Sequence, residues 1–295
     1  MCGIAGFISL DQSTLGNGEK ALKCMGELLA HRGPDGKGQW MDDAGRVGLA
    51  HRRLAIIDLS PAGAQPMEGR NGTVISLNGE IYNYLELQDE LKGAWEFSSD
   101  SDTETVLAAY DAYGDQCLDH LRGMFSFALW DHGRNRLFCA RDRFGIKPFY
   151  YAVVDQVLYF ASEAKALLPF LPEIDTDAAA MGEYLTFNFG IGENTLFKGI
   201  KQLLPGHALA VEGDEVRTWR YWDVSYEVDW DHGEDWFQER LRHLLDDSIR
   251  VHLRSDVPVG AYLSGGIDSS LMSILAARHD SGNREAFHGR FLEYP

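Results

Sequence analysis

Apolar positions along this chain recur with two periods, and the switches between them sketch its elements. Ile4, Ala5, Phe7, Ile8 and Leu10 crowd the start, with Gly3 and Gly6 between them, and predict a buried opening strand. Gly18 to Ala30 then carries Leu22, Met25, Leu28 and Leu29 at helical spacing. Arg46 to Asp58 is strand material rich in Val, Leu and Ile, and Thr73 to Leu77 is a further strand. Tyr84, Leu85, Leu87 and Leu91 mark one helix; Val106, Leu107, Tyr110 and Tyr113 mark another, capped by Asp102 or Thr103. Two hairpins follow, Phe125–Asp131 with Leu137–Arg141 and Tyr150–Val154 with Val157–Ala161, then a short helix from Glu163 to Leu168. Strand-like pieces run from Leu203 to Asp223. After an acidic stretch over 224–233 come an amphipathic helix (Trp236, Phe237, Leu241, Leu244, Leu245, Ile249), a strand over Val257–Leu263 and a helix over Leu271–His279.

Hairpins separated by helices predict helices packed on largely antiparallel sheets, an α+β class, up to residue 223. Residues 224–233 read as a linker. The strand, Gly-rich loop and helix from 234 onward predict the beginning of an α/β unit.

Composition narrows the function classes. The 295 residues are 45% apolar and 24% charged, which is globular soluble composition. A net charge of −18 argues against nucleic acid and anionic membranes as partners. No apolar run reaches the ~18–20 residues of a membrane span, and no signal peptide is visible, so a cytoplasmic location is expected. Cys2, Cys24, Cys117 and Cys139 lie far apart without metal-ligand spacing. A reducing compartment follows, with the last three as small core side chains.

Four stretches carry candidate chemistry. Removal of Met1 would leave Cys2 with a free α-amine beside its own thiol, so that one residue supplies both nucleophile and base. The strand ending at Asn78-Gly79 places an amide side chain beside an unhindered N–H, two neutral donors suited to an oxyanion. Asn-Gly is also the strongest hairpin-turn signal, but the helical pattern that follows favours a site. His31-Arg32-Gly33-Pro34-Asp35-Gly36 is a tight loop whose basic pair could face an anion; composition alone favours a plain turn. Arg52 and Arg53 adjoin Leu54-Ala55-Ile56-Ile57, and at least one of them calls for a carboxylate partner, from protein or ligand. Finally, Ser264-Gly265-Gly266-Ile267-Asp268-Ser269-Ser270 opens a helix after a strand, a geometry that cradles phosphate, with Asp268 able to hold an accompanying Mg²⁺. It lacks the Gly-Lys-Ser/Thr of a Walker loop.

Taken together and in this order, these motifs resemble glutamine-dependent asparagine synthetases. The resemblance implies an N-terminal-nucleophile hydrolase sandwich acting as a glutamine amidotransferase domain over residues 1–223. It is followed over 234–295 by the incomplete start of an ATP pyrophosphatase-type domain. It implies Cys2 attack on the glutamine amide, with Asn78 and Gly79 holding the oxyanion. Arg53 would take the glutamine α-carboxylate, Glu80 and Asp102 would lie near its α-amine, and Leu54 and Ile57 would line the pocket. Leu263, Ser264, Gly265, Gly266, Asp268, Ser269 and Ser270 would bind ATP. ATP would adenylate the β-carboxylate of aspartate, and ammonia would displace AMP. A homodimer is compatible with the resemblance.

The chain stops at Phe291-Leu292-Glu293-Tyr294-Pro295, short of the family pattern, so glutamine hydrolysis but not synthesis is expected of these residues alone. Two alternatives stand beside this: the same architecture serving another carboxylate acceptor, and a non-catalytic glutamine-binding module. The joint presence of Cys2, Arg53, Asn78, Gly79 and Asp102 weighs against the module.

Overall fold

In the computed structural model, which describes residues 1–279 and 285–289, the opening strand spans Gly3–Ser9 and is buried along its whole length. It pairs antiparallel with Val47–Arg53 on one side and Val157–Ala161 on the other. Tyr150–Val154 and Lys201–Gln202 extend this six-stranded sheet at one end, and Gly36–Met41 closes the other. Alternation along the opening strand then fixes the layers. Ala5 and Phe7 pack with Leu22, Met25 and Leu29 of the helix side, whereas Ile4 and Ile8 pack towards a second sheet.

That second sheet is also six-stranded and antiparallel. Its order is Glu215–Arg220, His207–Glu212, Arg136–Arg141, Gly123–Asp131, Thr73–Ile81 and Met67–Glu68. Between the sheets, Ile4, Ile8, Val47 and Leu49 meet Val74, Trp130, Leu137 and Cys139. On its outer face Ile75, Leu77, Phe125 and Phe127 receive the helices Tyr84–Leu91 and Asp102–Tyr113. Each large apolar side chain withdrawn from water contributes roughly 1.5–3 kcal/mol, so the sandwich is dominated by these three apolar layers. Close approach is part of the design at Gly6, where an added Cβ would lie 2.3 Å from the Gly48 carbonyl oxygen and 2.4 Å from the Phe160 ring.

Several elements differ from the sequence pattern, each for a local reason. Ser101, rather than Asp102 or Thr103, caps the Asp102–Tyr113 helix, its hydroxyl accepting from the Thr103 N–H. Asp102 is the first helical residue, and its carboxylate is turned to Ile81 instead. The strand expected over Arg46–Asp58 ends at Arg53, where the chain leaves the ladder to wrap the Arg53 guanidinium. Glu163–Leu168 forms no α-helix but two single 3₁₀ turns, Ala164–Ala166 and Leu168–Phe170, the second carrying Pro169 in its first turn. Gly36 begins a strand, and the helix Ala178–Phe187 adds an element with no amphipathic stripe, only Ala180 being buried. Cys117 and Cys139 are core side chains, but Cys24 is only half-buried.

The chain divides into two units, Met1–Val224 and Ser225–Pro295. Residues 224–233 carry no helix or strand. The second unit contains helices Glu234–His252 and Ile267–His279 and a parallel pair of two-residue strands, Ala261–Tyr262 with Ala286–Phe287. The strand expected over Val257–Leu263 is therefore reduced to its last part. Along the first helix Trp236, Phe237, Leu241 and Leu244 remain exposed. The terminal Phe291–Pro295 segment lies outside the described residues. No described helix is long and apolar enough to cross a membrane.

Candidate active site

Register delivers Cys2. Because Gly3 pairs with Arg52, the residue before it lies beside the end of the Val47–Arg53 strand, and the Leu54 N–H points at the Cys2 Sγ at 3.4 Å. The Cys2 carbonyl is held in turn by Arg32 Nε at 2.8 Å, and Arg32 is anchored on Glu163 at 2.9 Å. The basic pair of the His31–Gly36 stretch thus faces a protein carboxylate, since His31 also reaches Glu163 at 2.9 Å. Against the burial that would raise it, Arg32, His31 and Lys165, the last at 3.0 Å, hold the Glu163 carboxyl down at about 2.

On the facing sheet, Val74, Ser76 and Asn78 share the inward side of the Thr73–Ile81 strand. Ser76 bonds to the Ala50 carbonyl across the sandwich at 3.3 Å. Asn78 is fully buried, and among the described residues neither its amide nitrogen nor its oxygen has a hydrogen-bond partner. Such a group is costly to leave unsatisfied, on the order of 1–3 kcal/mol. Asn78, Gly79 and Cys2 line one cavity of about 280 Å³.

Arg53, Leu54, Ile57, Glu80 and Asp102 line the same cavity. The Arg53 guanidinium is braced by the carbonyls of Ile57, Asp58 and Ser60, and Arg52 Nε bonds the Gly26 carbonyl. The carboxylate partner expected for one of these arginines is replaced, within the protein, by main-chain oxygens. Burial pushes the Asp102 carboxyl up to about 7; the Ile81 N–H opposes the shift and Glu80 adds to it. Glu80 is likewise raised by burial, with Lys147 opposing. Burial raises the Cys2 thiol, opposed by the Leu54 N–H and Arg53.

Among the lining residues that the sequence reading did not assign to the site, Gln65 and Lys147 carry polar side chains with defined roles in the wall. Gln65 accepts from the Leu77 N–H at 2.6 Å and donates to Thr103 at 2.9 Å, joining strand to helix at the cavity wall. Lys147, only 5% exposed, lines the cavity from a loop beyond the first hairpin. The one available signal was Arg141-Asp142-Arg143-Phe144-Gly145-Ile146-Lys147-Pro148, too charged for an ordinary turn between hairpins.

In the second unit, the loop between Ala261–Tyr262 and Ile267–His279 turns through Gly265, whose φ of 86° suits glycine. The Ser264 and Ser269 hydroxyls bond each other at 2.9 Å, and Ser269 and Ser270 both donate to the Gly266 carbonyl. Leu263 donates its N–H to the Phe287 carbonyl at 2.9 Å, just before this loop. Asp268 stands exposed in the first helical turn. No group of three or more metal-ligating side chains occurs among the described residues.

The family model described as glutamine amidotransferase domain matches residues 1–222, and that of asparagine synthase matches residues 240–295. Glutamine-hydrolyzing asparagine synthetase 1 of Bacillus subtilis is 39% identical over 95% of this chain and 45% of its own length. Asparagine synthetase 3 of the same organism is 38% identical over 100% of the chain and 48% of its length. Amidase chry2 of Gibberella zeae is 39% identical over 92% and 42%. The chain thus spans less than half of each. Among solved structures, the glutamine phosphoribosylpyrophosphate amidotransferase of B. subtilis, complexed with ADP and GMP, aligns with a TM-score of 0.54 at 17% identity, over 98% of this chain and 66% of that one. An allosteric regulatory enzyme of purine biosynthesis aligns at 0.57 and 15%, over 97% and 65%. Likeness at these identities concerns the fold alone, an α+β sandwich of two antiparallel sheets with helices on their outer faces.

Proposed function

The chain belongs to the glutamine amidotransferase domain family, and from that premise we propose that residues 1–223 hydrolyse glutamine with Cys2 as nucleophile. The observation that carries this reading is Asn78. A buried amide with no partner among the described residues, lining one cavity with a thiol and the Gly79 backbone, is what an oxyanion donor requires. Once Met1 is removed, the Cys2 amine takes the thiol proton as sulfur attacks the amide carbon. The amine then returns a proton to the leaving nitrogen, releasing ammonia. Water adds to the thioester, and sulfur leaves to give glutamate. Arg53 takes the α-carboxylate, Glu80 and Asp102 receive the α-ammonium, and Leu54 and Ile57 close the wall.

Residues 234–295 are proposed as the start of an ATP-binding synthetase domain, joined through 224–233. Leu263 and the loop Ser264, Gly265, Gly266, Asp268, Ser269 and Ser270 would hold ATP phosphates at the helix start. A single exposed carboxylate, Asp268, fits Mg²⁺ shared with phosphates rather than a protein-only cage. In the complete protein, ammonia would amidate an adenylated carboxylate, with aspartate as the first reading because of the asparagine synthetase relatives. The amidase relative favours a second acceptor reading, a different carboxylate in the same architecture.

The test is intact mass before and after treatment with a diazo-ketone analogue of glutamine. Loss of Met1 and one adduct at Cys2 are expected. A retained Met1, or glutamine binding without ammonia release, would sink the glutaminase reading. Feeding the complete protein ATP and candidate acids, with pyrophosphate release as readout, separates the acceptors.

A further inference from the structure

Lys147 is the charged residue of the cavity that the roles above leave unused. Its backbone is clamped on both sides: its N–H donates to Asp142 at 2.9 Å, and its carbonyl accepts from Arg141 Nε at 2.8 Å. Asp142 also collects the N–H groups of Phe144 and Ile146, at 3.1 and 3.0 Å, while Arg141 reaches the Gly145 carbonyl at 2.8 Å. Two buried charged residues are thus committed to holding one loop, and that loop presents a lysine to the cavity lined by Cys2 and Glu80. Among the described residues, no carboxylate lies within 4.0 Å of the Lys147 Nζ and no hydrogen bond holds it. Lys147 is thus 5% exposed and lines the cavity without an ion-pair partner among the described residues, an arrangement that costs free energy.

Resting on the glutaminase reading, we infer that Lys147 is a positioning residue for the Cys2 chemistry, a fixed cation that favours the thiolate and the unprotonated state of the neighbouring amine. The other charges facing that pair are Arg32, Arg53, Glu80 and Asp102. Arg32 is neutralised by Glu163, and Arg53 is braced by carbonyls. Lys147 faces the pair from the side of Glu80, whose carboxylate shares the cavity with it. The chain-terminal amine, here that of Met1, is already lowered, first by burial and then by Lys147 and Arg32. Burial lowers the Lys147 ammonium and Glu80 opposes the shift; the lysine gives up no proton in the proposed step. The proton that moves goes from the Cys2 thiol to the Cys2 amine and on to the departing ammonia.

The test follows the purified chain over roughly pH 5 to 9, reading glutaminase kcat/KM and, without glutamine, the rate of Cys2 alkylation by iodoacetamide. Lys147→Met is expected to move the acid limb of both profiles upward by about one pH unit. Lys147→Arg, which keeps the cation, is expected to restore the limb. Near-UV circular dichroism checks folding, and Lys147→Gln carries the same expectation should the Met variant misfold. An unmoved limb in the neutral variants overturns the inference, as does an Arg variant shifted as far as they are. In both cases wild-type turnover leaves the glutaminase reading standing. A wild-type chain with neither ammonia release nor Cys2 alkylation overturns both.

Discussion

The Asp102 carboxylate accepts a hydrogen bond from the Ile81 N–H at 2.9 Å, so the start of a helix is tied to the strand that carries Asn78 and Gly79. Burial raises this carboxyl to about 7, above its unfolded value of about 3.9. The folded state therefore prefers the protonated form. The stability this brings is complete below about pH 4 and is lost as pH rises through about 7. An α-ammonium held nearby reverses the preference by favouring the carboxylate. Glutamine KM is thus expected to fall as pH rises through that region. Asp102→Asn should flatten both dependences; urea unfolding and initial rates at a series of pH values check them.

Asn78 leads to an unusual pairing of effects. Asn78→Leu removes an oxyanion donor, and kcat for ammonia release is expected to fall about 10²- to 10³-fold. The same change removes a fully buried amide that has no partner among the described residues, so thermal stability should hold or rise. A loss of both activity and melting temperature would show Asn78 to be a structural residue.

Much of this was legible because local pattern and tertiary role coincide. The run from Ile4 to Leu10 alternates against two layers, and both hairpins fall where strand residues flank turn residues. Cys2, Arg53 and Asn78 stood out as chemistry misplaced for plain strands. Lys147 did not, because its meaning depends on a fold that brings a loop past residue 140 back to the first strand. Gly36–Met41 was hidden by a sequence poor in strand formers, Gly-Lys-Gly-Gln-Trp-Met, which pairs only because its neighbour Val47–Arg53 offers an edge. The Ala178–Phe187 helix has no buried stripe, and so no period to detect.

Gly6 tests whether the opening strand sets the nucleophile. A Cβ there meets a backbone oxygen at 2.3 Å as well as an aromatic ring, and backbone cannot step aside as a flexible side chain can. Gly6→Ala is expected to cost about 1–3 kcal/mol or more, read as a lowered urea midpoint. Surviving folded protein should alkylate more slowly at Cys2. An unchanged midpoint would mean that the sheet accommodates the methyl group by sliding, and that the register is looser than the ladder implies.

Glu163 acts on Cys2 through Arg32. Its carboxyl is held at about 2, below its ordinary value, so the stability it brings is present above about pH 4.5 and lost as pH falls towards 2. With three basic partners and a side chain 25% exposed, that stability is on the order of 1–2 kcal/mol after solvent screening. Glu163→Gln should lower the unfolding free energy by this amount at neutral pH, and the gap from wild type should close in acid. It also frees the guanidinium that holds the Cys2 carbonyl at 2.8 Å, and misplacement of a nucleophile by a fraction of an ångström is felt in kcat more than in KM. A tenfold fall in kcat, roughly, with KM within twofold is expected. A fall confined to KM would place Arg32 with substrate binding instead of with the nucleophile.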